Sequence, residues 1–510
     1  MIRRLDLKVK LVLSFLLSFL LCSASMAQSG LVGVIVNGIT FMQSPRARHT
    51  ATLLQDGRVL IAGGEICCSS TVPALATTEI YDPATKGFTS AANMTTARSG
   101  HTATLLPDGR VLIVGGDSSN GTAELYDPST GKFTATGSLL MSQTGFNATL
   151  LANGKVLIAG GVNSAYAVAD AEVFDPATGQ FTTAGPYVAG LTGAFTGNAS
   201  TSTLLPDGTV LFEREPAAQI YNPATATFNL SGSMSITFLG NPVAPDYVDG
   251  QTATLLLNGT VLVAGGANED LGRFNSTELY NPASGVFATG TSMLRPREDH
   301  TATLLPDGTI LMAGGESQNC NGNSCSFSGS ESTLELYDPA KGTFAAAGNM
   351  LYPRVFHTAT LLNTGDVLIT GGEAWGGFDL DYGSLAATEL YHPAVVSPPP
   401  ALFSLDGSGQ GQGAIWNATT GQVASSQTPS VAGQILSMYA SGLAEGGAIP
   451  PQVAVGGQLA EILYSGDAPG YPGYFQVNFR VPDGVSPGAA VPVRLSYLGR
   501  PSNAVTIATQ

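Results

Sequence analysis

One pattern is written seven times into this chain of 510 residues, at intervals of about fifty residues: "HTATLLPDG-x-VLIAGG", a variable loop, then "ELYDPATGKF". The double glycines stand at Gly63/Gly64, Gly115/Gly116, Gly160/Gly161, Gly265/Gly266, Gly314/Gly315 and Gly371/Gly372. In the fourth copy the same slot holds Glu213 and Arg214. A period of this size with four short β segments per copy predicts a radial β-propeller, in which each copy is one sheet that cannot bury its faces alone.

Within a copy, "HTATLL" and "RVLIVGG" flank "PDG", whose Asp-Gly pair suits a tight hairpin, so the first two strands are antiparallel neighbours. The run Val111–Val114 is apolar on both faces, as a strand sandwiched between adjoining sheets must be. The last copy stops at "ELYHPA" without its outer strand, and residues 34–41 ("VIVNGITF") are a strand without a copy of their own. The spacing predicts that this N-terminal strand closes the last blade and removes an exposed edge. Seven blades are expected, or six if the divergent fourth copy is malformed.

Four basic residues precede the apolar run Leu11–Leu21, and Ser25 and Ala27 supply a small-residue cleavage site. Residues 1–27 are therefore expected to be a signal peptide, making the protein secreted, periplasmic or cell-surface associated. No other stretch is long and apolar enough to be a transmembrane segment. The formal net charge of -16 makes nucleic acid a poor partner. After cleavage four cysteines remain: Cys67, Cys68, Cys320 and Cys325. Export permits disulfides; "CNGNSC" makes Cys320 and Cys325 the disulfide candidate, with three pairings formally open.

The double glycine, the Tyr-Asp-Pro turn and the lead-in "M-x-x-x-R-x-x-H" together resemble kelch repeats, and residues 40–393 resemble the kelch and galactose-oxidase-like propellers. That resemblance implies the fold. Galactose-oxidase chemistry would need two histidines and two tyrosines on one copper, with one tyrosine thioether-linked to a cysteine. Four of the five histidines, His49, His101, His300 and His357, open the first strand of their repeats, and His392 replaces the aspartate of the last turn. A repeat-locked set reads as scaffold, each arginine and histidine satisfying buried polar groups with Glu79, Glu124, Glu335 and Glu389. Copper is accordingly disfavoured, no cofactor and no metal are expected apart from a possible calcium, and no catalytic residue is assigned.

Variable loops on a rigid scaffold are where binding residues gather. The ligand-binding candidates are Trp375, Phe378, Asp379, Asp381 and Tyr382 in "EAWGGFDLDYG", with Glu213, Arg214 and Glu215 where the fourth copy breaks its glycine turn. Tyr166, Tyr187 and Phe195 join them on the long-loop face. Asp379 and Asp381 are also a fragment of a calcium site.

After a proline linker at 395–400, alternating segments separated by Gly/Pro turns predict a small Ig-like β-sandwich over 401–510, with Trp416 in its core. It resembles a C-terminal domain shared by exported proteins of soil bacteria. The whole reads as an all-β protein: a seven-bladed kelch-type propeller (28–394) and an Ig-like sandwich. The expected function is a non-catalytic binding or adhesion module for a glycan or extracellular surface protein. The alternative is a carbohydrate-active enzyme using loop carboxylates, or a galactose-oxidase-like copper oxidase.

Overall fold

The computed structural model describes residues 33–66, 74–117, 121–162, 170–188, 201–214, 217–234, 236–238, 241–243, 248–268, 271–321, 324–375 and 383–510. Among them every regular element is a strand. Seven four-stranded antiparallel sheets form from the repeats. The first runs Thr50–Leu53, Val59–Ala62, Thr78–Asp82 and Gly87–Ser90, in chain order from inside to outside. Each inner strand neighbours that of the next sheet, and Thr358–Leu361 neighbours Thr50–Leu53, so the sheets surround an axis as in a β-propeller. Val34–Phe41 runs antiparallel to Ala387–His392 and is the outer strand of the seventh sheet.

Second strands such as Val111–Val114 are fully buried because both of their faces meet other sheets. Each fully buried aliphatic side chain contributes about 1.5–3 kcal/mol. The third and fourth strands are pinned by a cross-strand aromatic pair, as in Tyr126 opposite Phe133 with ring centroids 4.8 Å apart.

In four of the seven sheets a lead-in arginine welds the sheet from inside. Arg98 is fully buried; its guanidinium donates to Gly115 O at 2.8 Å, Thr122 O at 2.9 Å and Glu124 Oε1 at 2.8 Å. Glu124 in turn accepts the backbone N–H groups of Thr95 and Thr96. Arg46–Glu79, Arg297–Glu335 and Arg354–Glu389 repeat the pair. The four repeat histidines join sheets: His101 Nε2 lies 3.0 Å from Thr50 Oγ1 of the preceding sheet, and His49, His300 and His357 bond threonines in the same way. Burial, reinforced by Arg98, pushes the His101 imidazole down to about 3, so it is neutral at physiological pH.

The double glycine is needed where sheets meet. Gly63 has φ +61°, and a Cβ there would lie 2.6 Å from Arg98 O of the next sheet. Gly63→Ala is expected to cost about 1–3 kcal/mol, read as a lower urea midpoint at unchanged slope. In the fourth sheet the register sets Glu213 opposite Thr201 as Ala62 stands opposite Thr50, so Arg214, and not Glu213, takes the place of Gly63. The next sheet there carries Val248 and Gln251 at the arginine and histidine positions.

The C-terminal unit contains two five-stranded antiparallel sheets around one apolar core that includes Leu436, Met438, Phe479, Val493 and Ile507. One sheet is built on Ile435–Ser441 and Phe475–Arg480, the other on Gln452–Val455 and Gly488–Tyr497. Trp416 corrects its sequence-based placement: it is half-buried rather than in the core, with its ring 5.3 Å from that of Tyr439.

This unit covers the propeller face that carries the short turns. Ala448 N–H donates to Leu257 O at 2.6 Å, and buried Arg500 donates through Nη2 to Asn363 O at 2.9 Å and Ser397 O at 2.8 Å. Arg500 has no carboxylate partner among the described residues, and burial lowers its guanidinium to about 10. Arg500→Ala is expected to loosen the docking by about 1.5–3 kcal/mol per lost charged hydrogen bond. The reading is faster proteolytic cutting between residues 395 and 400.

Candidate active site

The lead-in "R-x-x-H" leaves two positions free, and the second of them stands just before the histidine or its substitute. Its backbone is left-handed in every described copy: Arg48 (φ 52°), Gly100 (64°), Gly145 (70°), Gly250 (66°), Asp299 (50°) and Phe356 (54°). These residues are hydrogen-bonded around the mouth of the axis. Arg48 N–H donates to Phe356 O at 3.0 Å, Gly100 N–H to Arg48 O at 2.9 Å and Asp299 N–H to Gly250 O at 2.9 Å. Ala199, the fourth-copy counterpart, lies outside the described residues.

The rim is lopsided. Glycines line it on the second, third and fifth sheets, whereas the sixth, seventh and first carry Asp299, Phe356 and Arg48 side by side. A bulky residue at positive φ is an outlier, and such strain persists mainly where a site requires the side chain. The Arg48 guanidinium lies 3.9 Å from the Phe356 ring centroid and pairs with Glu65 at 3.0 Å; Glu65 also accepts Ser99 Oγ at 2.9 Å. That stack is a cation–π contact held in place by a carboxylate.

Beside the rim stand the hairpins that follow the double glycines of the fifth, sixth and seventh sheets: Ala267–Asn268 with Gly272–Arg273, Glu316–Asn321 with Ser324–Ser330, and Glu373–Ala374 with Gly383–Ser384. They brace one another: Gln318 Nε2 donates to Arg273 O at 2.9 Å, and Ser330 N–H to Trp375 O at 3.0 Å. From this wall Arg273 reaches Glu298 Oε1 at 2.6 Å and Glu316 Oε2 at 2.5 Å.

The mouth thus gathers more carboxylates than arginines. Burial, then the charges of Glu316 and Asp249, raise Asp299 to about 6, against the pull of Arg48 and Arg273. Burial also raises Glu298 to about 7, with Arg273 opposing and Asp299 and Glu316 adding repulsion. Asp299 makes no side-chain hydrogen bond among the described residues. A half-buried carboxyl near neutrality, packed over Gly250 where a Cβ would lie 3.1 Å from Asp299 Oδ1, is equipped to take or give a proton.

Of the residues singled out from sequence, Trp375 is beside this mouth, donating Nε1–H to Glu373 Oε2 at 2.7 Å. Glu213 is fully buried, accepts Thr201 Oγ1–H at 2.8 Å, and is raised to about 8 by burial, with a smaller contribution from Glu278. Tyr187 is packed in the core against Phe212 and accepts the Gly160 N–H, which removes it from the long-loop candidates. The backbone sets Cys320 opposite Cys325 in the sixth-sheet hairpin. Phe378, Asp379, Asp381, Tyr382, Glu215, Tyr166, Phe195, Cys67 and Cys68 lie outside the described residues, as does the Arg214 side chain. Sequence reasoning passed over Arg48, Arg273, Glu298, Asp299, Glu316 and Phe356. The usable signal was the pair of variable positions inside an otherwise fixed frame.

No protein-family model matches the chain, and no curated protein matches it in sequence. Among solved structures it is similar to a fungal alcohol oxidase described as having catalytic diversity among the AA5 family, in complex with copper. The TM-score is 0.60 at 17% identity, over 94% of this chain and 100% of that one. The likeness is one of fold.

It corrects one expectation from sequence, that no cofactor is involved and copper is disfavoured. The fold that this chain shares is one whose solved counterpart holds copper. The described residues do not themselves complete a copper set of the galactose-oxidase kind. Among them no three His, Cys, Asp or Glu side chains are placed to hold a metal ion. The repeat histidines are committed to threonines between sheets, and Tyr81, Tyr126, Tyr280, Tyr337 and Tyr391 are buried in the sheets.

Proposed function

We propose that this chain is an enzyme working at the mouth of the propeller axis on an alcohol group of a carbohydrate or related polyol. Asp299 is the residue that handles the substrate proton. The observation that carries this reading is the contiguous trio Asp299, Phe356 and Arg48 held at strained, left-handed backbone on a rim whose other described positions are glycines. The fold likeness to an alcohol oxidase supports an enzymatic reading over an adhesion module. Phe356 and the Arg48 stack form one wall for a substrate; Glu298 and Glu316, fixed by Arg273, offer acceptors for its hydroxyls.

We further propose seven blades, one per four-stranded sheet, an Ig-like assignment for the C-terminal unit, export after removal of residues 1–27, and a Cys320–Cys325 bridge. Trp375 belongs to the substrate-facing wall in this reading.

The test is turnover of a panel of primary alcohols, sugars and oligosaccharides by the purified chain, with copper supplied in one arm and chelated in the other. Mass spectrometry of the products separates loss of two hydrogens from cleavage or epimerisation. Turnover in either arm that Asp299→Asn abolishes supports the proposal. No turnover in both arms, with glycan binding intact, returns the chain to the adhesion reading.

A further inference from the structure

At the opposite end of the axis from the mouth, the inner strands and the C-terminal unit form a half-open cavity of about 400 Å³. Binding pockets favour such interdomain positions and this size range. Leu53, Leu105 and Leu361 contribute an apolar wall from three inner strands. The facing wall is the outer surface of the sheet built on Gln452–Val455 and Gly488–Tyr497, where Ala454 stands directly opposite Arg494. Ala454 lines the cavity.

Arg494 is poorly provided for. A guanidinium has five N–H donors. Here a single hydrogen bond, Nη1 to Ser502 O at 3.3 Å, uses one of them, and among the described residues Arg494 has no ion pair. Asp56, the acid whose field it feels, is taken by Arg58 at 2.7 Å. Arg500 in the same interface also lacks a carboxylate among the described residues. In a chain of net charge -16 this gap between domains is a local positive site.

We propose that the interdomain cavity binds a small monocarboxylate with an apolar tail, its carboxylate on Arg494 and its tail against Leu53, Leu105 and Leu361. The guanidinium fork matches a carboxylate in two parallel hydrogen bonds, and the leucines exclude a ligand that is charged throughout.

Isothermal titration of the full chain with decanoate, and with decan-1-ol as the uncharged comparison, tests this. Saturable 1:1 binding of decanoate, at least about 10-fold tighter than decan-1-ol and weakened about 10-fold or more in Arg494→Gln, is the expected result. Ala454→Trp, which fills the cavity, should abolish it, and Asp299→Asn should leave it unchanged, placing the ligand away from the mouth. Should Arg494→Gln fail to fold, Ala454→Trp and the decan-1-ol comparison carry the test. Absence of saturable binding at millimolar decanoate, equal binding of the alcohol, or binding undiminished in Ala454→Trp overturns the proposal.

Discussion

Glu124→Gln is expected to cost the fold about 3–5 kcal/mol, because it removes the nearer counter-charge of the fully buried Arg98 guanidinium and leaves it only Asp117, at 3.8 Å. The measurement is urea unfolding, with the midpoint falling at unchanged slope. Two comparisons isolate the cause. Replacing the buried charges together, Arg98→Met with Glu124→Leu and Asp117→Asn, should lose far less, since no isolated buried charge remains. Glu461→Gln, which breaks the exposed pair to Arg480, should stay within about 1 kcal/mol of the parent. A loss for Glu124→Gln no greater than that for Glu461→Gln would show that the repeat arginines are not the weld described here.

Asp299→Asn is expected to lower turnover by about 10²–10⁴-fold with the fold intact, the usual span for removing a positioned acid or base. Asparagine tolerates left-handed backbone and keeps the shape, so the loss isolates the proton. With the parent, activity that needs the ionised carboxylate should rise with pH through about 6, where Asp299 sits. Glu298, near 7, shares the field, so the steps seen belong to the pair as a unit. Asp299→Gly should be equally inactive yet more stable, by about 1–3 kcal/mol from strain relief alone. Removing the carboxyl adds in the same direction. Its folded-state pKa is raised, so the ionised form destabilises the fold as pH rises from the unfolded value through about 6. An Asp299→Gly variant that loses both activity and stability would mark Asp299 as scaffold.

The scaffold was readable because its physics repeats. The arginine, glutamate, histidine and double glycine recur at fixed spacing, and the structure shows the reason: each pair of sheets needs the same polar weld and the same close backbone approach. The candidate site was not readable by the same logic. Attention to the long loops rested on the rule that variation marks function, yet the informative variation is two residues wide. It lies between Arg297 and His300, or between Arg354 and His357, and only the left-handed backbone of the second residue reveals that these positions meet at the axis. Arg273 and Glu316 come from hairpins of different copies, so no local pattern could have joined them to Glu298. Tyr187 and Trp416 show the converse error. Their types suggested a binding loop and a core, yet Tyr187 is packed in a core and Trp416 is half-buried against Tyr439.

The strand Val34–Phe41 hydrogen-bonds to Ala387–His392, at the far end of the repeats. On a chain that emerges from its N-terminus, this first segment waits, unpaired, through the synthesis or translocation of every sheet between. Ring closure is therefore the last event of folding and the most non-local one, a slow step set by topology rather than by stability. Until His392 has appeared, the molecule is an open arc with two sticky ends, and a neighbour's Val34–Phe41 can fill the gap as well as its own. Crowded expression should then yield strand-exchanged dimers and longer chains of molecules, whereas slow, dilute release should yield closed single rings.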